Sequence, residues 1–156
     1  MNFLLSWAAS HPDEIGSNEE VKISFIDARR AYFNARCEED IFVELPFEDQ
    51  IDGMCGQLEH WMYGTRGAAS KWERHYSRVL VEAGCTKGKA SPCVFHHKVR
   101  ELRCVVNGDD FTTAGSDSNL DWFEKLLQKA FEVKLRGRLG SGPKDLDEIR
   151  ILNRIA

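Results

Sequence analysis

The sequence lacks the features that mark membrane-spanning, secreted and disulfide-stabilised proteins. No stretch approaches the roughly 18 consecutive apolar residues that a membrane-spanning helix needs. The N-terminal segment is rich in apolar residues, but it has no positively charged start and is interrupted by Ser6, which favours a short helix over a secretory signal. The five cysteines are an odd number and include no Cys-x-x-Cys pair, so a reducing compartment fits better than a disulfide framework.

The sequence also lacks an overall excess of positive charge, because its net charge is −4. The charges are nevertheless unevenly distributed. Residues 36–60 contain eight acids and one base, whereas residues 61–108 contain nine bases and three acids. Such a local excess of positive charge can face a phosphate backbone. Charge alone favours the simpler interpretation, which is a solvated helix face.

The length and the apolar pattern indicate one α+β domain. A chain of 156 residues predicts a single domain. Alternating apolar residues predict a strand over Val21–Ile26 that ends on Asp27, and helical periodicity predicts helices over Gly67–Ala83 and Asp117–Phe131. Since strands and helices do not alternate strictly, the pattern is typical of an α+β layer. The other predicted strands are Ile41–Leu45, Cys93–His96, Leu102–Val106, Phe111–Ala114, Phe131–Leu135 and Ile149–Leu152, with a loop over residues 136–147.

Three aspartates lie where strands are predicted to end. Asp27 follows an apolar strand, and Asp109 and Asp110 lie in the turn of a predicted hairpin. If that turn lies beside Asp27, three carboxylates converge and cations relieve their repulsion. Nucleotidyl transfer uses two magnesium ions about 4 Å apart on such oxygen ligands. Spacing alone favours a plain solvated turn, because Asn-Gly is itself a strong hairpin signal.

Blocks of the sequence in matching order resemble the reverse transcriptase of copia-like long-terminal-repeat retrotransposons. F-I-D-A-R-R-A-Y-F-N-A (Phe25–Ala35) with E-E-D-I-F-V-E-L-P (Glu38–Pro46) is similar to the first catalytic block of that family. M-Y-G-T-R-G-A-A-S-K-W (Met62–Trp72) is similar to its tyrosine-glycine block. A-S-P-C-V-F (Ala90–Phe95) and V-N-G-D-D-F-T-T-A-G (Val106–Gly115) are similar to its hairpin with paired aspartates. The opening residues and the tail after the second helix also match.

This resemblance implies a polymerase palm, in which an antiparallel sheet is backed by helices, with partial fingers and no thumb. Residues 1–156 would be a single partial reverse transcriptase domain. Within it, residues 1–20 would lead in from the fingers, residues 21–135 would form the palm core, and residues 136–156 would begin the segment leading to the connection or thumb.

The resemblance also implies roles for individual residues. Asp27, Asp109 and Asp110 would be the catalytic carboxylates at the metal site. Asp27 and Asp109 would bind both metal ions, Asp110 would have a lesser direct role, and Ala28 would offer its backbone carbonyl to one metal ion. Tyr32 would lie under the sugar of the incoming nucleotide and exclude a 2′-hydroxyl by its bulk. The remaining implied contacts are Arg66 and Gly67 with the nucleotide, and Asn107, Gly108 and Arg66 with the primer and template.

The implied activity is templated addition of deoxynucleotides to a primer 3′-hydroxyl, with two Mg²⁺ ions as cofactors and Mn²⁺ as a substitute. The implied partners are an RNA or DNA template-primer, deoxynucleoside triphosphates, and the ribonuclease H and integrase domains of a Pol polyprotein, without a membrane. We expect an intracellular location, in a cytoplasmic particle or the nucleus.

Three alternatives remain open at this point. The family usually has an aromatic residue at the position of Asn107 and a glutamine at that of Gly67, so the chain could be an inactive remnant of a retrotransposon. A small zinc-binding interaction module is a second alternative, because metal-ligating side chains cluster within twenty residues. The third is catalysis by a cysteine paired with a histidine. The side chains concerned are Cys85, Cys93, His96, His97 and Cys104.

Overall fold

The computed structural model describes residues 20–151 and 154–155. The predicted N-terminal helix and most of the polar loop after it lie outside the described residues. Neither of the two helices described in these ranges is long and apolar enough to cross a membrane. In chain order the strands are β1 (Lys22–Ala28), β2 (Phe42–Val43), β3 (Gly56–Gln57), β4 (Thr86–Lys87), β5 (Val94–His97), β6 (Leu102–Asn107), β7 (Asp110–Gly115), β8 (Val133–Leu139), β9 (Arg150–Ile151) and β10 (Arg154–Ile155), and the helices are α1 (Ala68–Glu82) and α2 (Asp117–Ala130).

The chain divides into two compact units. The first contains residues 1–29 and 77–156, and the second contains residues 30–76. The division falls inside α1, between Tyr76 and Ser77. Each unit has its own buried residues and is described separately below.

A six-stranded sheet in the order β4-β5-β6-β7-β1-β8 forms the first unit, and its neighbouring strands are all antiparallel. Helix α2 connects β7 to β8, which lie on the two sides of β1, and it contacts all three strands. Its apolar residues recur at helical spacing, so Leu120, Phe123 and Leu127 are buried together. The predicted α+β class with a mostly antiparallel sheet is confirmed.

The second unit is built on a short two-stranded sheet and the start of α1. Strands β2 and β3 pair through Phe42 and Gln57, and a single 3-10 turn over Ala31–Asn34 precedes them. Its buried centre is the Trp61 side chain, which packs with Ala35 and Ala68. The predicted strand Ile41–Leu45 is therefore confirmed in place but is shorter than expected, because only two of its residues are paired.

The helix predicted over Gly67–Ala83 is confirmed within one residue at each end. Gly84 follows it with a φ of 97°, the left-handed conformation that favours glycine after a helix. The short strand β4 was not predicted, since Thr86 and Lys87 carry no apolar pattern and pair only at the sheet edge.

Candidate active site

The paired aspartates lie on the tight hairpin that joins β6 to β7. Asn107 and Asp110 are opposite each other, so Gly108 and Asp109 form a two-residue loop. Gly108 has a φ of 65°, whereas Asp109 is not among the residues with positive φ. A positive φ at the first central residue alone is typical of a type II′ turn, whose twist matches that of the flanking strands. Glycine at position 108 therefore allows both aspartates to lie at a well-defined strand end.

Asp27 lies next to this hairpin on the neighbouring strand. In the antiparallel pairing of β1 with β7, Asp27 is directly opposite Asp110. Side chains of directly opposite residues share one face of the sheet, with Cβ atoms about 4.5–5.5 Å apart. The backbone N–H of Ala28 donates a hydrogen bond of 2.8 Å to the carbonyl of Asp109, which joins the turn to the end of β1. Asp27 is within β1 rather than just after it, because the strand continues to Ala28.

A β-bulge introduces an arginine beside these carboxylates. Strand β8 pairs with the other edge of β1, with Leu135 opposite Ile26 and Gly137 opposite Phe25. Arg136 is thus the extra residue of a bulge, and bulges commonly redirect a side chain. Gly137 has a φ of 123°, a backbone conformation that L side chains rarely adopt.

The Arg136 guanidinium lies between the two facing carboxylates. Its Nη2 donates to Oδ2 of Asp27 and lies 3.6 Å from Oδ1 of Asp110. Burial raises the pKa of Asp110 above its ordinary value, Arg136 lowers it, and the neighbouring Asp109 and Asp27 raise it again. The hydrogen bond to Asp27 also raises the pKa of Arg136. The site is therefore a group of mutually repelling acids that one cation partly neutralises.

The donor set suits a hard divalent cation, because carboxylate oxygens on rigid strand ends are the ligands that Mg²⁺ prefers. The side chains of Asp27 and Asp110 are 21% and 17% exposed, so the oxygens are sheltered but reachable. Across residues 20–151 and 154–155, no three His, Cys, Asp or Glu side chains form a ready-made metal cluster. The guanidinium of Arg136 is a positive charge that the carboxylates of Asp27 and Asp110 share.

Comparison with known proteins gives the family. The sequence model described as "Reverse transcriptase (RNA-dependent DNA polymerase)" matches residues 14–141 of the chain. The chain belongs to this family. A relative is the retrovirus-related Pol polyprotein from transposon TNT 1-94 of Nicotiana tabacum, which is 23% identical over 129 residues. That match covers 77% of this chain and 10% of the polyprotein, so the chain spans about a tenth of the length of this curated relative.

The family resemblance inferred from the sequence is thereby confirmed, whereas the predicted roles of single residues stay predictions. In this reverse transcriptase domain the structure brings together Asp27, Ala28, Asp109 and Asp110, which all belong to the first unit. Asn107 and Gly108 are exposed residues of the same hairpin.

The predicted nucleotide-binding residues belong to the second unit. Tyr32 is partly buried, and its ring lies 4.4 Å from that of Tyr63, measured between ring centroids. Arg66 is exposed. A Cβ atom at Gly67 would lie 2.5 Å from the Trp61 ring, so the position where the family usually has glutamine has no room for a side chain. The packing of Trp61 therefore gives a physical reason for this departure.

The cysteines and histidines of the zinc and thiol alternatives do not form a reactive cluster among the described residues. They are not arranged to hold a metal ion. Burial raises the pKa of the Cys85 thiol to about 11 and that of Cys104 to about 12, which keeps both thiols protonated at neutral pH. Nδ1 of His97 accepts a hydrogen bond from the backbone N–H of Arg100. Buried thiols with a raised pKa are poor nucleophiles, so Cys85 and Cys104 do not fit the thiol alternative.

Arg136 is not among the residues that the sequence predicts at the site, because the sequence predicts a loop over residues 136–147. Strand β8 instead continues to Leu139. The signal was present in V-K-L-R-G-R-L, where Val133, Leu135 and Leu139 alternate with basic residues at the period of a strand. Gly137 and the high charge obscured it. The bulge that directs Arg136 toward Asp27 depends on strand pairing, and its one local signal is a glycine, Gly137, inside the strand pattern.

Proposed function

We propose that this chain is the palm-like part of a reverse transcriptase, which joins deoxynucleotides to a primer 3′-hydroxyl on an RNA or DNA template. The observation that carries the proposal is the direct pairing of Asp27 with Asp110 beside the Asp109 turn, in a chain of the reverse transcriptase family. Helix α2 packs on β1, β7 and β8, and the acidic side chains at the strand ends remain partly exposed for such chemistry.

In this proposal the acidic side chains supply the negative charge that holds divalent cations. Asp27 and Asp110 present carboxylates from facing strands, and Asp109 adds a third from the turn. When bound, two Mg²⁺ ions would activate the primer hydroxyl and neutralise the triphosphate. The pairing of β1 with β7 holds the backbones of Asp27 and Asp110 opposite each other before any ligand binds.

The partners follow from the family and belong to the same proposal. Template, primer and deoxynucleoside triphosphates would be the substrates, and other domains of a Pol polyprotein would complete the enzyme. Residues 1–156 would then be one partial domain of a longer protein, which is consistent with a match to a tenth of the tobacco polyprotein.

Primer extension by a complete polymerase that contains this chain tests the proposal. Asp27→Asn and Asp109→Asn should each abolish Mg²⁺-dependent extension, since an amide cannot replace the charge of a metal-binding carboxylate. The matched control is Asp52→Asn, which removes the same charge from an exposed turn of the second unit. Extension by either site variant at the rate of the unsubstituted enzyme would refute the assignment.

A second candidate is a family member that has lost its activity. It is favoured by the guanidinium on the carboxylates and by Trp61 packing at Gly67, which leaves no room for the family's glutamine. If the complete polymerase with unsubstituted aspartates extends no primer, this second candidate is correct.

A further inference from the structure

The inference concerns the cation that already contacts the proposed catalytic carboxylates. Like charges directly opposite each other in an antiparallel pair destabilise the sheet. Asp27 and Asp110 are such a pair, and both side chains are largely buried. Their repulsion needs a neutralising charge even when no metal is bound, and the Arg136 guanidinium provides one.

The backbone places Arg136 there by a specific device. Leu135 pairs with Ile26 and Gly137 pairs with Phe25, so β8 has one residue between them that has no partner on β1. The extra residue is Arg136, and its side chain is 35% exposed. The same Nη2 atom contacts Asp27 and lies 3.6 Å from Asp110, so the guanidinium lies between the two carboxylates that would hold a divalent cation.

We propose that Arg136 is a built-in counter-ion that competes with divalent cations for Asp27 and Asp110, and thereby lowers the metal affinity of the site. This inference rests on the proposed function, because it presumes that these carboxylates bind a metal ion. A carboxylate oxygen that accepts from the guanidinium has fewer lone pairs for a metal, and two cations at such short range repel each other. Binding of the metal and contact of Arg136 with the acids are therefore antagonistic.

Competition of this kind is reciprocal. If Arg136 weakens metal binding by some factor, the metal weakens the contact between Arg136 and the aspartates by the same factor. Without a metal ion, Arg136 partly neutralises the two carboxylates. Half-saturation of the site then requires a higher concentration of free divalent cation than it would without Arg136.

Direct Mn²⁺ binding by the full 156-residue chain tests this without any activity measurement. The loss of the free-Mn²⁺ signal in electron paramagnetic resonance gives the affinity at neutral pH and constant ionic strength. Arg136→Gln should bind Mn²⁺ about five- to tenfold more tightly than the unsubstituted chain, the effect of removing one or two partly exposed ion pairs. Arg136→Lys, which keeps the charge, should stay closer to the unsubstituted chain.

The matched control is Arg29→Gln, which also removes one positive charge and one ion pair. Arg29 contacts Glu132 at 3.0 Å. A smaller effect of Arg29→Gln than of Arg136→Gln supports competition at the carboxylates, and equal effects would overturn it in favour of a general change in charge. In Arg136→Gln, the further change Asp27→Asn should abolish the gain.

The outcomes separate this proposal from the proposed function. Equal Mn²⁺ affinity in the unsubstituted chain and Arg136→Gln overturns the counter-ion and leaves the metal site intact. Absence of Mn²⁺ binding in both, with circular dichroism showing folded protein, overturns both proposals. If Arg136→Gln does not fold, the folded Arg136→Lys decides the matter: affinity at or below that of the unsubstituted chain supports the proposal, and a five- to tenfold gain with the charge retained overturns it.

Discussion

Two arginines on one strand have different surroundings. Arg136 and Arg138 are two residues apart on β8. Arg136 contacts its carboxylates through Nη2, whereas Arg138 uses Nε, Nη1 and Nη2. The Arg138 side chain is 16% exposed and contacts three carboxylates of α2, whereas the Arg136 side chain is 35% exposed and contacts the two facing aspartates of the sheet.

The Arg138 network is built from a stripe of acids on one helix face. Asp117, Asp121 and Glu124 recur at i, i+4 and i+7, so they point the same way from α2. Arg138 contacts them at 2.7, 2.6 and 2.9 Å, and Lys22 extends the network through Asp117 at 2.6 Å. This arrangement joins α2 to β1 and β8.

The number and kind of its charged partners decide whether a partly buried arginine stabilises the fold or remains exchangeable. Glu124 accepts from both Arg138 and the Ser24 hydroxyl, so its charge is fully paired in the folded protein. Asp27 and Asp110 repel each other across a strand pair, and the single cation Arg136 leaves a net negative charge on the two acids. The first arrangement stabilises the fold, and the second can exchange its cation.

The largest effect is expected from breaking the Arg138 network. Arg138→Ala leaves Glu124 sheltered without a cation, and we expect the free energy of unfolding to fall by about 2–3 kcal/mol. Urea denaturation measures this. The control Arg29→Ala removes an exposed pair and should change stability by less than about 1 kcal/mol. Equal losses in the two variants would contradict the distinction between the networks.

A smaller, metal-dependent effect is expected at Arg136. In the presence of a metal chelator, Arg136→Gln should lower the free energy of unfolding by less than about 1 kcal/mol. Asp27 and Asp110 then repel each other with no cation between them. Added Mg²⁺ should restore the loss, because a cation that binds the folded state stabilises it by mass action. Thermal unfolding with and without Mg²⁺ measures both. If Mg²⁺ restored the stability of Arg138→Ala to the same extent, the metal would be acting at another site.

The smallest effect is expected at Asp110, and it has the opposite sign. Its raised pKa means that the folded state favours the neutral carboxyl, so its stabilising contribution is present at acid pH and is lost as pH rises through the folded pKa. Asp110→Asn should therefore stabilise the protein at neutral pH by about 0.5 kcal/mol or less, a common direction at functional sites.

Unfolding measured at several pH values tests this sign. The gain from Asp110→Asn should shrink as the pH falls below the ordinary range of an aspartate, where the carboxyl is neutral in both states. A gain that grew on acidification would contradict the role of burial at Asp110.

Much of the fold could be predicted because its signals are local. Helices α1 and α2 follow from apolar periodicity, and β6 and β7 follow from apolar segments on each side of a turn with Gly108. The predicted ends of elements are wrong where local signals conflict with strand pairing. The sequence predicts that this strand ends at Leu135, because Gly137 and the basic residues are typical of a loop, but β8 continues to Leu139.

The family, the two helices, the hairpin and the identity of the three acidic residues follow from the amino-acid sequence alone, because each rests on neighbouring residues or on ordered motifs. The folded chain is needed to show that Asp27 faces Asp110 and that Arg136 contacts both. The physical reason is that strand register and a bulge depend on hydrogen bonds between segments more than eighty residues apart, which no local pattern encodes.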